Sequence, residues 1–178
     1  MKKFLFILIC FLAASNMNAQ FNARNFLNPT MRKVGSIDAI INELYSVNSG
    51  KKGYERNWTD FKYLFYPGSK IIATGKSLDG NHLAKYMSAE DYKNTSKEWL
   101  KENGYIEKEI NRKQDVFGNI AHVFSTFEVY YSEDDPYPAL RGIKSIQLLN
   151  DGSRWWIINV YWMQESDVQP IPRDYLPN

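Results

Sequence analysis

The sequence predicts an α+β domain whose N-terminal helices pack against one face of a strongly curved antiparallel sheet. Two observations carry this. Apolar residues recur at helical spacing in the first half of the chain, between residues 37 and 100. The second half holds four long β-rich segments, paired around Gly118-Asn119 and Asp151-Gly152, which are hairpin turn signals. Helices first and a long meander last is the order of an α+β layer architecture.

Each element has its local reason. Ser36 is placed to cap a helix in which Ile37, Ile40, Ile41 and Leu44 form one apolar face. Ser49-Gly50-Lys51-Lys52-Gly53 ends it. A short second helix is predicted from about Asn57 to Phe65, burying Trp58, Phe61, Leu64 and Phe65; Pro67-Gly68 ends it and leads into a strand from Lys70 to Lys76. Leu78-Asp79-Gly80-Asn81 is a turn. Ser88 and Asp91 form a capping box for a third helix carrying Tyr92, Thr95, Trp99 and Leu100 on one face, closed by Asn103-Gly104. Strands are predicted over Tyr105–Phe117, Ile120–Tyr131, Arg141–Leu149 and Arg154–Met163, with an acidic, proline-bearing loop from Ser132 to Ala139.

A turn centred on Gly118-Asn119 sets Phe117 opposite Ile120, Asp115 opposite His122 and Arg112 opposite Ser125. Ile106, Ile110, Val116, Ala121, Val123, Phe127 and Val129 then share the core face, and Glu109 faces Glu128 on the other. A two-residue turn at Asp151-Gly152 sets Gln147 opposite Trp156 and Lys144 opposite Asn159, with Ser145, Gln147 and Trp156 facing inward. Both faces of this last hairpin are bulky and apolar. One is covered by helices; the other needs a second copy of the chain, the N-terminal extension or the tail.

The N-terminus reads as a secretory leader: Lys2-Lys3, an uncharged run from Phe4 to Leu12, and a small-residue stretch ending at Ala19. The expected organisation is a signal peptide over 1–19, an N-terminal extension over 20–35, the domain over 36–166 and a C-terminal tail over 167–178, with a secreted or periplasmic product. The apolar run is shorter than the roughly 20 residues that span a bilayer. Cys10, the only cysteine, lies inside that run, so the domain is expected to use no disulfide, zinc-thiolate or cysteine nucleophile. Two of the 22 basic residues and none of the 20 acids lie in residues 1–19, so the remainder is balanced in charge. Nucleic acid is therefore not an expected partner, since phosphate recognition needs a basic excess.

Five stretches, 45–50, 56–68, 117–128 (Phe117-Gly118-Asn119-Ile120 onward), 141–149 and Asp151-Gly152-Ser153-Arg154-Trp155-Trp156-Ile157, together with the order of helices and strands, carry a family likeness. They resemble the NTF2-like superfamily, and within it uncharacterised SnoaL-like bacterial proteins. The resemblance implies an NTF2-like cone with a pocket at its open end. It also implies use as a lyase, isomerase or related enzyme on hydrophobic substrates, or as a non-catalytic binding domain, and a homodimer through the outer sheet face.

Within that frame the expected ligand pocket is lined by Trp58, Arg112, Ser125, Ser145, Gln147 and Trp156, taking a small, partly apolar molecule. An inward arginine must meet an anion: either a ligand carboxylate, or a helix carboxylate such as Asp60. Asp115 and His122 are the alternative acid–base pair, against the plainer reading of a surface pair or dimer contact. A protein-interaction module on the outer face is the third possibility. No metal or cofactor signature is present: two distant histidines and no Gly-rich phosphate loop give none, and the acidic run Glu133-Asp134-Asp135 lacks the pattern of a calcium loop.

Overall fold

A computed structural model describes residues 33–177. The expected leader and most of the extension lie outside the described residues. The elements are α1 (Ile37–Asn48), α2 (Trp58–Tyr63), β1 (Phe65–Lys76), β2 (His82–Met87), α3 (Ala89–Asn103), β3 (Ile106–Phe117), β4 (Ile120–Tyr130), β5 (Leu140–Asn150), β6 (Trp155–Gln164) and a short 3-10 turn, Arg173–Tyr175. The architecture is α+β, with a curved six-stranded sheet in the order β2-β1-β6-β5-β4-β3.

The sheet is mixed rather than wholly antiparallel, because β1 runs parallel to β6. This corrects the expected fold in one respect, and a second is that α3 follows the β1–β2 hairpin. The strand β2 escapes the periodicity argument because it is an edge strand exposed on both faces, with only Met87 buried. Pro67-Gly68 does not precede β1 but sits inside it, where the pairing with β6 is interrupted between Phe65 and Lys70. Proline is tolerated at such an irregularity because no ladder bond is required of it.

The helix signals hold. Ser36 Oγ accepts from the Ala39 N–H at 3.1 Å, and the Ser88–Asp91 capping box forms in both directions. The apolar stripe of α1 (Ile40, Ile41, Leu44) packs into the concave face of the sheet against Val123, Phe127, Val129, Ile146, Leu148 and Ile157, all buried.

Two bulges decide which side chains face this core. In β3, Glu109 pairs with Phe127 but Asn111 pairs with Thr126, so Ile110 is an extra residue. The register from Arg112 to Phe117 agrees with the expected one, including Asp115–His122 and Arg112–Ser125. Before Ile110 it is reversed: Glu107 and Glu109 face inward and Lys108 meets Glu128. The expected Glu109–Glu128 pair therefore does not form. In β6 the pairing slips between Gln147 and Leu148, and the β5–β6 connection has four residues, giving Asn150–Trp155, Gln147–Asn159 and Lys144–Trp162. The expected Gln147–Trp156 and Lys144–Asn159 pairs are replaced. The inward face is that of Lys144, Ile146 and Leu148; Ser145, Gln147 and Trp156 lie on the outer face.

Gly142 fixes this choice. It stands opposite Phe127, and a Cβ there would lie 2.8 Å from the Phe127 ring and closer still to the Met163 carbonyl. Only glycine lets that ring approach β5 this closely.

The tail is not loose. Ile171 is buried, and Tyr175 packs edge-on to Phe124 of the outer face at 5.1 Å. Thr126 Oγ1 donates to the Tyr175 carbonyl at 2.6 Å. The tail thus supplies part of the cover that the outer face was expected to need.

Candidate functional site

The sequence-derived pocket residues are not brought together. Trp58 is half-buried on α2, edge-on to Phe61 and Tyr92. Arg112 and Ser125 face the concave side. Ser145, Gln147 and Trp156 face the opposite side of the sheet. The two groups are separated by the sheet itself, so no molecule on one face touches all six.

On the concave face the polar groups are consumed by one another. Arg112 donates to Glu109 through Nε at 2.9 Å and through Nη2 at 2.5 Å. It also donates to Asp38 of α1 at 2.6 Å. The helix carboxylate is therefore Asp38 rather than Asp60, which pairs with Lys33. The bulge at Ile110 makes this clamp possible: residues three apart in a regular strand lie on opposite faces, and the extra residue brings Glu109 and Arg112 to the same one. Their hydrogen bonds hold the guanidinium pKa above its usual value despite burial. Ser125 donates to Glu109 at 2.5 Å and so accepts from the Tyr45 hydroxyl at 2.7 Å.

Deeper in, Lys144 and Glu107 form an ion pair with side chains 8% and 1% exposed. Glu107 also accepts from Tyr105 at 3.1 Å and from Asn48 Nδ2 at 3.4 Å. The Lys144 ammonium lies 4.3 Å from the Tyr45 ring centre and 4.4 Å from that of Phe127. It has ionic and ring contacts but no well-directed hydrogen bond. Burial lowers its pKa, with Glu107 acting in the opposite direction. Burial raises the Tyr45 and Tyr105 phenols well above their usual value, and Glu107 adds to both. These residues escape sequence analysis because Glu107 becomes inward only through the bulge. The one available signal was Gly142, whose pairing with Phe127 puts Lys144 on the core face.

The outer face is different. A cavity of about 580 Å³ opens between the tips of the two hairpins, walled by Phe117, Ile120, Leu149 and Ile158 around Asp115, His122 and Gln147. Phe117 is 82% exposed. Asp115, His122 and Gln147 form one continuous cross-strand row. His122 Nε2 lies 2.8 Å from Ser145 Oγ, which orients the ring from below. The next residue in the row, Asn159, has a buried Oδ1 with no partner among the described residues. At the far side of this face, the Arg154 guanidinium is held between the rings of Trp156 (3.7 Å) and Tyr63 (3.9 Å), so Trp156 is a packing residue there. Among the described residues no group of three or more metal-ligating side chains occurs, and no helix is long and apolar enough to cross a membrane.

No protein-family model matches this chain, and no curated protein matches it in sequence. Solved structures do match. A protein of unknown function with a cystatin-like fold from Nostoc punctiforme superposes with a TM-score of 0.56 at 10% identity, covering 74% of this chain and 90% of that one. An NTF2-like protein of unknown function from Pseudomonas putida gives 0.54 at 12% identity, covering 79% and 94%. The yeast UBP3-associated protein BRE5 gives 0.52 at 12% identity, covering 73% and 94%. At these identities the likeness is one of fold, and the fold is NTF2-like.

Proposed function

We propose that the chain is a secreted or periplasmic NTF2-like binding domain that takes a small, partly apolar molecule in the outer-face cavity. Asp115, His122 and Gln147 act as its polar anchors. The observation that supports this is the cavity itself: about 580 Å³, walled by apolar side chains around a short polar row. Small-molecule sites run from roughly 300 to 1,000 Å³ with this same division of labour. The leader pattern at residues 1–19 supports export.

A SnoaL-like lyase or isomerase using Arg112 has less support. A reactant beside that guanidinium would have to displace both Glu109 and Asp38. A second copy of the chain is the competing occupant of the outer face, supported by the exposure of Phe117 and Ile120.

Titration with the uncharged dye Nile red tests the site. The wild-type chain is expected to bind the dye, and Leu149→Lys to weaken binding about tenfold, as removal of one apolar wall implies. Equal binding by both proteins sinks the proposal. Sedimentation over a concentration series tests the competitor: a dimer that Phe117→Ser dissociates assigns the face to a second copy instead.

A further inference from the structure

The C-terminal tail crosses the outer face next to the first cavity, and it is attached unevenly. It turns back at a Ser166–Gln169 bridge. The Ile171 N–H donates to Glu165 Oε1 at 3.0 Å. At the other end, Thr126 and Asn111 hold the carbonyls of Tyr175 and Leu176 at 2.6 and 3.2 Å. Between these attachments the tail arches over a cavity of about 360 Å³. Its floor is Phe124, Ile143, Tyr161 and Met163, and its roof is Ile171 and Tyr175.

Two of the polar groups in this cavity are engaged elsewhere, while Tyr161, Gln164 and Gln169 also contribute to its lining. Ser145 Oγ is engaged with His122. Glu165 is held by Arg141 Nε at 2.8 Å and by the tail backbone. The surface it presents is mostly apolar, through Phe124, Ile143, Met163, Ile171 and the two prolines Pro170 and Pro172, so what fits here is mainly hydrocarbon. Methionine in the floor suits a flexible chain, since its own side chain adapts to irregular shapes.

The rim carries the opposite character. Lys113 Nζ lies 4.7 Å from the centre of the Tyr175 ring, which is one wall. Lys113 and Arg173, with Arg112 and Asn111, line an adjoining polar cavity of about 370 Å³, in which Asp174 is the one acid. Arg112 is already committed to Glu109 and Asp38, leaving Lys113 and Arg173 as the cations that define the rim.

We propose that this strapped cavity is a second binding site, for the hydrocarbon chain of a single-chain anionic amphiphile. The acyl chain lies between tail and sheet, and the anionic head meets Lys113 and Arg173. The site is separate from the Asp115–His122–Gln147 cavity, and its ligand class is set by an apolar slot beside a cationic rim.

The test uses the full chain and dansylated undecanoic acid, followed by dansyl emission. The expected result is saturable binding with a blue shift. Ile143→Trp, which fills the slot, and Lys113→Glu with Arg173→Glu, which inverts the rim, should each weaken it about tenfold or more. The methyl ester of the probe should bind about tenfold more weakly than the acid. Met163→Phe serves as a milder filling variant should Ile143→Trp lower the melting temperature. Undiminished binding by a folded slot-filling variant overturns the proposal, as does equal binding of acid and ester. Loss of dansyl binding in Leu149→Lys, with Ile143→Trp unaffected, places the probe in the first cavity; that outcome removes this site and leaves the first one standing.

Discussion

The two faces of the sheet handle polar side chains in opposite ways. Under α1, Asp38, Arg112, Glu109, Ser125 and Tyr45 form one continuous chain of hydrogen bonds, and Glu107 with Lys144 forms a buried ion pair. On the outer face Asp115, His122 and Gln147 border open space among apolar walls. Burial alone does not mark a site. In low dielectric an unpaired charge is intolerable, so concave-face groups are paired off. Beside solvent the same residue types can wait for a ligand.

The sharpest way to break this comparison is to remove Glu107. Glu107→Ala strands the Lys144 ammonium in the core and should cost about 3–5 kcal/mol, read from chemical denaturation. The double variant Glu107→Leu with Lys144→Met should recover most of that loss, because an ion pair replaced by matched apolar groups is close to neutral. A double variant no better than the single one would show that the pair does more than satisfy itself.

Gly142→Ala comes next. Its methyl would collide with the Phe127 ring and the Met163 carbonyl, so a loss of about 1–3 kcal/mol is expected. Ligand binding on the outer face should persist in the fraction that stays folded. Dye binding lost in step with the concave face would tie the two surfaces together.

Alkaline titration probes the same chains of bonds. Tyr45 and Tyr105 have folded pKa values raised above the unfolded one. Their contribution is complete below about pH 10 and is lost as pH rises through the folded values. Lys144 has the opposite sign: its lowered value means stability recovers as pH passes from that value to the unfolded one near 10.5. That recovery is complete near pH 10.5, so above about this pH the phenols alone act and the melting temperature should fall. Tyr45→Phe with Tyr105→Phe should flatten that fall; an unchanged slope would count against the phenols as its source.

The smallest effect is expected on the open face. Phe117→Ser should change stability by no more than about 0.5 kcal/mol, because the ring is mostly in solvent. Its consequence should appear in dye binding or self-association instead. A loss near that of Gly142→Ala would mean that the ring is structural.

Local signals were legible one residue at a time. The caps at Ser36 and Ser88, the α1 stripe, the Gly118-Asn119 hairpin and the Asp115–His122 pairing all follow from short-range chemistry that the backbone obeys wherever it sits. Arg112 could be recognised as an inward arginine needing a carboxylate. Its partners could not be, because Glu109 reaches it only through the bulge and Asp38 only through the packing of α1.

The placement of the site was less legible for the same reason. Side chains alternate strictly along a strand, so one extra residue reverses everything beyond it. Ile110 turns Glu107 inward, and the four-residue β5–β6 connection with the slip near Ile158 alters every pairing the shorter turn implied.

The sequence by itself determined an α+β chain, the Gly118-Asn119 hairpin with Asp115 opposite His122, and a stretch from 36 to 166 without a cysteine; that Gln147 joins that row on the outer face was decided by the sheet. Tertiary structure alone decided which face of β5 is the inside, that the tail straps the other face, and that the concave polar groups satisfy one another. Propensity, capping and turn chemistry act over a few residues. Register across a sheet is settled by fitting whole faces together, as Gly142 beneath the Phe127 ring illustrates.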